Sequence, residues 1–246
     1  MKKIWGLFIV GALLMPLAGA ETIYVAVASN FLKPIREIAN QYQQQSHDKI
    51  IISDASIGVL SNQIKNGAPY QVFLSADSAT PALLAKQQYA VESTQFTYAY
   101  GQLVLLSSSG KLDSPLQRLQ SGNYTHLSIC DPKITVYGAA GYQVLNKYQL
   151  LPKIQNKLVI SENIKLAFDY VVTKNAELGF VALSQVILDK SIARTDYWIV
   201  PDSIAPLIKQ DAILLAKGQN SRGAQQFLAY LKSSEAKKVI NRYGYK

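Results

Sequence analysis

Residues 23–31 read Ile23-Tyr24-Val25-Ala26-Val27-Ala28-Ser29-Asn30-Phe31. The first six are apolar and β-prone, with no alternating polar face, which predicts a short strand buried on both sides in a parallel sheet. Ser29-Asn30 breaks the run, and Phe31, Leu32, Ile35, Ile38, Ala39 and Tyr42 then fall at helical spacing. Ser and Asn are favoured helix N-caps, and Pro34 is tolerated only in a first helical turn. A strand, a short polar turn and a helix in close succession form the repeating unit of an α/β fold.

The same unit recurs outward from this stretch. Lys49–Ser53 reads as strand, Asp54–Gly58 as turn, and a helix ends near Asn66-Gly67; strand Val72–Ser75 and helix Pro81–Gln88 follow. Tyr98–Ser107 is a longer extended run in which Gly101 permits a bend. Next come strand Leu127–Cys130, turn Asp131–Gly138 and a helix through Tyr148, then strand Leu158–Ile160, turn Ser161–Asn163 and a helix from Ile164 to Lys174. Strands Gly179–Leu183 and Tyr197–Val200, an extended Asp211–Ala216, and helices Ser221–Tyr230 and Ser234–Tyr243 complete the chain. Two α/β groups divided near residues 100 and 200 imply two lobes joined by two crossings. Residues 21–99 and 201–246 form the first lobe and 100–200 the second, with the C-terminal helices packed back on the first.

A length of 246 residues suits one large domain or two small ones. With 49% apolar and 17% charged residues the chain can build cores and is not of the disordered class. The lone Cys130 excludes an intramolecular disulfide framework and a Cys-rich zinc site, and His47 and His126 are too few for a multi-histidine metal centre. Met1-Lys2-Lys3, the apolar run Ile4–Leu14 and the small-x-small ending Ala18-Gly19-Ala20 predict a signal peptide over 1–20, cleaved after Ala20. Without a cysteine after this segment, a lipid anchor is not expected. Loss of Lys2 and Lys3 would take the formal charge from +9 to +7. The basic runs are as short as Lys237-Lys238 and are interspersed with acids, so the charge reads as a field that draws small anions rather than as a nucleic-acid surface.

In parallel α/β sheets ligands bind beyond the carboxyl ends of the strands. All four polar turns lie at such ends, and each opens a helix whose unpaired N–H groups and partial positive charge favour an anion. Two lobes facing each other with two such turns each would surround a small oxyanion with neutral donors. Hydrogen bonds to charged groups contribute roughly 1.5–3 kcal/mol each, so five or six suffice for micromolar binding.

Val25–Phe31, together with Gln63-Ile64-Lys65-Asn66-Gly67-Ala68-Pro69-Tyr70-Gln71-Val72-Phe73-Leu74-Ser75-Ala76-Asp77, resembles the molybdate-binding periplasmic proteins of ABC transporters. Asp131-Pro132-Lys133 with Tyr137-Gly138, Glu177–Gln185 and the ending Arg242-Tyr243-Gly244-Tyr245 are similar to that family's second half and terminus. The resemblance implies a two-lobed type II periplasmic binding protein fold with a cleft between the lobes. It also implies capture of molybdate or tungstate for an inner-membrane permease, a monomeric receptor in the periplasm, no cofactor, no nucleic-acid partner and no enzymatic activity.

The same resemblance places the oxyanion on Ser29 and Asn30 after the first strand, on the turn after the second strand, and on backbone at Tyr137 and Ile164. No side chain ligates the metal directly. A tyrosine that some members supply from a later strand is replaced here by Ala182. In the second turn, Ile57 occupies the position aligned with a ligand-binding Ser or Thr, and Ser56 precedes it. Either Ser56 substitutes, or Ile57 offers only its N–H, or the ligand has changed; Asp54 would repel an anion if it faced the cleft. Ser29→Ala and Asn30→Ala are each expected to weaken binding by more than about ten-fold, and His47→Ala to leave it unchanged. His47 and His126 read as solvated, Cys130 as an inert core thiol, and Tyr137, Tyr142 and Tyr148 as packing residues with wet hydroxyls. Lys133 and Lys165 read as surface lysines near two of the turns. Two rivals remain, a receptor of this fold for another solute and an exported enzyme on it. For the enzyme, no acid–base or nucleophilic set can be assembled from the sequence.

Overall fold

A computed structural model describes residues 19–246, so the predicted signal segment lies almost wholly outside the described residues. The chain begins with β1 (Thr22–Ala28), α1 (Leu32–Ser46), β2 (Lys49–Ala55), α2 (Ile57–Lys65), β3 (Val72–Leu74), α3 (Ala79–Lys86) and β4 (Phe96–Gly101). It continues through β5 (Leu103–Ser107), α4 (Pro115–Ser121), β6 (Leu127–Cys130), α5 (Val136–Lys147), α6 (Leu151–Ile154), β7 (Leu158–Ser161), α7 (Ile164–Val172), β8 (Leu178–Ala182), α8 (Leu183–Val186) and β9 (Tyr197–Ile199). It ends with β10 (Ile208–Leu214), α9 (Arg222–Tyr230) and α10 (Ser234–Arg242).

The strands form two five-stranded sheets of matching design, ordered β2-β1-β3-β10-β4 and β7-β6-β8-β5-β9. In each, one strand runs antiparallel to both neighbours: β10 between β3 and β4, and β5 between β8 and β9. Each of these is the strand laid down just after the chain passes from one sheet to the other, between Gly101 and Leu103 and again between Ile199 and Ile208. The fold is α/β, in two halves, each a sheet with its helices.

Apolar spacing accounts for the layers. Val25 and Val27 face a core that includes Ile35 and Ile38 of α1 together with Phe227 and Ile240 of α9 and α10, which cover the first sheet. Ala26 faces the opposite core with Leu60 of α2 and Leu84 of α3. The two-sided burial inferred for this strand is therefore realised. In the second half Leu105 and Ile129 pack with Val144 of α5, while Val104 and Val181 pack with Val171 of α7.

Several boundaries depart from the sequence reading. Ser29 and Asn30 do not cap α1; with Phe31 they form one 3-10 turn that carries no side-chain cap. β2 extends through Asp54 and Ala55, because pairing with β1 continues to Ala28↔Ala55, so the turn narrows to Ser56. α5 begins at Val136 rather than after Gly138, as the Thr135 hydroxyl caps it by accepting from Gly138 N. Tyr98–Ser107 is two strands in different sheets, parted just after Gly101. α4, α6 and α8 were not anticipated; each is short and gives too few turns to establish a period. Among the described residues no helix is long and apolar enough to cross a membrane.

Candidate functional site

The loops after β1, β2, β6 and β7 meet at one cavity of about 20 Å3. One water needs ~10–15 Å3, so the space admits an ion of a few heavy atoms and little more. Ser29 and Asn30, then Ser56 and Ile57, reach it from the first half; Tyr137 and Ile164 reach it from the second. All six sequence candidates line this one cavity.

Three helices of nine, twelve and nine residues aim their N-termini here: α2, α5 and α7. The first amides of a helix have no intrahelical acceptor. Thr135 caps α5, and the Asn163 side chain caps α7 by accepting from Leu166 N at 2.9 Å. These caps satisfy the third helical residue of each and leave the earlier amides, at Tyr137 and Ile164, for another acceptor. α2 lacks such a cap, because the hydroxyl of Ser56 at its N-cap position makes no capping bond.

Two hydroxyls at the cavity are orphaned. Ser29 Oγ and Ser56 Oγ are buried and have no hydrogen-bond partner among the described residues. Ser29 is 7% exposed and Ser56 6%. A buried unpaired hydroxyl costs roughly 1–3 kcal/mol, and one cavity wall here carries two such donors without an acceptor. Ser56, rather than Ile57, thus carries the side-chain hydroxyl of the second turn, while Ile57 contributes the amide of the first helical position and an apolar wall.

The Asn30 side chain is committed elsewhere. Its Nδ2 donates to Gln210 Oε1 and to Tyr245 Oη, both at 2.9 Å, so the side-chain amide hydrogens are both taken and, of its donors, only the backbone N–H is left. Nor is the Tyr137 hydroxyl wet. It is buried and accepts from Gln210 Nε2 at 3.3 Å. Tyr98 donates to the same Gln210 Oε1 at 2.9 Å. Gln210, Tyr98, Tyr245 and Ser184 form a polar cluster behind the cavity that sequence reasoning missed; the Glu177–Gln185 and Arg242–Tyr245 stretches, which hold Ser184 and Tyr245, were its signal.

The cavity wall carries no charged side chain. Burial holds the phenols of Tyr98 and Tyr137 well above their ordinary pKa, and Tyr245 is likewise raised, so these groups stay neutral donors and acceptors. Asp54 is exposed and outside the cavity wall, which removes the anticipated repulsion. Lys133 and Lys165 are exposed surface lysines, the latter paired with Asp169, and neither lines the cavity. His47 and His126 are exposed, and His47 takes a left-handed conformation at the end of α1. Cys130 is fully buried and its pKa is pushed up to about 11 by desolvation, consistent with an inert thiol.

The sequence pattern of the bacterial extracellular solute-binding proteins matches residues 23–246. This chain belongs to that family. It is 44% identical over 229 residues to the molybdate-binding protein ModA of Azotobacter vinelandii, covering 93% of this chain and 91% of that protein. It is 37% identical to ModA of Rhodobacter capsulatus over 239 residues, 97% of this chain and 93% of that protein. A solved Azotobacter vinelandii periplasmic molybdate-binding protein superposes with a TM-score of 0.86 at 34% identity, across 91% of this chain and 98% of that one. As a solute-binding protein similar to these, the chain is a binding protein and not an enzyme. Membership also implies that it works outside the cytoplasm.

Proposed function

We propose that this solute-binding protein captures molybdate or tungstate in the cavity between its halves and hands it to an inner-membrane ABC permease. The observation that carries the reading is the pair of orphaned hydroxyls, Ser29 and Ser56, at a small cavity that three helix N-termini face. An oxyanion accepts at every oxygen and needs no proton acceptor in return, which suits a wall of donors without a carboxylate. The donors are the two hydroxyls and the backbone N–H groups of Asn30, Ile57, Tyr137 and Ile164. Six bonds at roughly 1.5–3 kcal/mol each exceed the ~8 kcal/mol of micromolar binding by enough to cover desolvation. Sulfate presents the same acceptors, so cavity size selects against it, and a protonated phosphate would leave its O–H without an acceptor.

In this reading 21–99 with 201–246 is one lobe and 100–200 the other, and they close on the anion about the crossings near Gly101 and Val200–Asp202. The protein is a monomer in the periplasm, released from its signal peptide after Ala20, and needs no cofactor. Calorimetric titration with molybdate, tungstate, sulfate and phosphate tests the proposal. One-to-one heat with the first two alone is expected; heat with sulfate or phosphate only, or with none, overturns it.

A further inference from the structure

Behind the anion cavity a buried hydrogen-bond circuit joins the two halves. Asn30 Nδ2 donates to Tyr245 Oη (2.9 Å), Tyr245 Oη donates to Ser184 Oγ (3.0 Å), and Ser184 Oγ donates back to the Asn30 carbonyl (2.8 Å). Each hydroxyl in this ring both gives and accepts. Ser184 belongs to α8 in the second half, whereas Asn30 follows β1 in the first and Tyr245 follows α10, which packs on the first sheet.

A second branch runs through Gln210. Its Oε1 accepts from Asn30 Nδ2 and Tyr98 Oη, and its Nε2 donates to Tyr137 Oη in the other half. In this orientation the amide oxygen accepts from both neighbours and the amide nitrogen donates across to the other half. Tyr98, which donates to Gln210, sits at a β-bulge. β10 pairs Gln210 with Ala99 and Asp211 with Thr97, leaving Tyr98 as the extra residue on β4. Bulges re-aim side chains near functional sites, and here the adjacent Tyr98 and Ala99 both join the core beneath α1, whereas β10, covered on both faces, keeps its alternation.

The circuit touches the proposed anion donors on both sides. Asn30 and Tyr137 each line the cavity and send a side chain into the circuit. Gly101, at the crossing between the sheets, leaves room for it: a Cβ there would lie 2.3 Å from Tyr137 Oη and 2.5 Å from Gln210 Nε2. A further polar bridge between the halves, Lys33 to the Gln185 carbonyl (3.1 Å) and to Asp189 (3.6 Å), is half exposed and screened by solvent.

Resting on the anion-receptor reading above, we infer that Gln210, Tyr245 and Ser184 are positioning residues that couple anion capture to closure of the two halves. None of them touches the anion. They hold the Asn30 and Tyr137 amides in register across the cleft, and their interactions across it exist only when the halves are together. Their removal therefore acts on release more than on capture.

The test is molybdate binding and release by the full protein, followed by rapid mixing, with the separation of labels at Lys86→Cys and Lys133→Cys reporting closure. Tyr245→Phe keeps the ring, which packs edge-on against Phe31, and deletes only the hydroxyl. Ser184→Ala is the milder second variant, made in case the first unfolds. Both are expected to release molybdate about ten-fold faster, to associate at close to the wild-type rate, and to hold the labels further apart when saturated. A purely structural role would lower the melting temperature while leaving release and closed-state separation at wild-type values, and that result overturns the inference. If the wild-type protein itself binds no molybdate, the functional reading fails and this inference falls with it.

Discussion

Asn30 and Tyr245, 215 residues apart, are joined by a buried 2.9 Å hydrogen bond from the Asn30 amide to the Tyr245 hydroxyl. The second hydrogen of the same amide goes to Gln210. Asn30 therefore commits its side chain to the rest of the protein and has only its backbone left for the cavity it lines. Asn30→Asp replaces an amide that donates twice with a carboxyl facing the Gln210 and Tyr245 oxygens, and sets a buried negative charge beside the cavity. Unpaired buried charge is strongly disfavoured. Calorimetry should show molybdate affinity falling by more than about 100-fold, well beyond the loss in Asn30→Ala.

Ser29 and Ser56 give a sharper signature, because affinity and stability should move in opposite directions. Each hydroxyl is buried without a partner, so Ser→Ala removes an unsatisfied group from the unliganded protein. Thermal melting without ligand should be unchanged or slightly higher for both variants. Molybdate binding should weaken about ten-fold or more in each, the value of one bond to a charged acceptor. A lower melting temperature with unchanged affinity would show that the hydroxyls serve the fold instead.

The reach of the sequence follows from the range of the interactions. The strand Val25–Ala28, the helix after it and the turn residues Ser29 and Ser56 were legible because apolar period and small polar residues act locally. The site's placement beyond the strand ends followed from the rule for parallel sheets. The role of the Asn30 side chain was not legible, since its partners lie 180 and 215 residues away. Gln210 was hidden by distance, and its partner Tyr98 by a bulge that breaks the alternation of β4. Tyr137 read as a packing residue with a wet hydroxyl because nothing nearby in sequence supplies the Gln210 amide it accepts from.

Cys130 makes a prediction about alkaline stability. Its thiol rises from 9.0 to about 11 in the folded protein through burial. A group raised on folding keeps its full contribution below the unfolded pKa and loses it as pH climbs toward the folded value, because the unfolded chain gives up its proton first. Tyr42 and Tyr124, pushed up to about 12, act in the same direction at higher pH. Urea unfolding under reducing conditions at about pH 8 and about pH 10 should show wild type losing on the order of 1 kcal/mol more than Cys130→Ala. The difference in slope isolates the thiol from any packing loss, which is common to both pH values.

Ile57 allows a backbone donor to be deleted without disturbing the fold. It is the first residue of α2, a position where proline is favoured because the N–H has no intrahelical acceptor. The residue before a proline must be extended, and Ser56 already is, at φ −66° and ψ 154°. Ile57→Pro should therefore melt near the wild-type temperature while losing the N–H that points at the cavity. Molybdate affinity should drop about ten-fold or more, whereas Ile57→Ala, which keeps the N–H, should stay within a few-fold of wild type. If both variants bind alike, the amide is not a ligand and the second turn contributes through Ser56 alone.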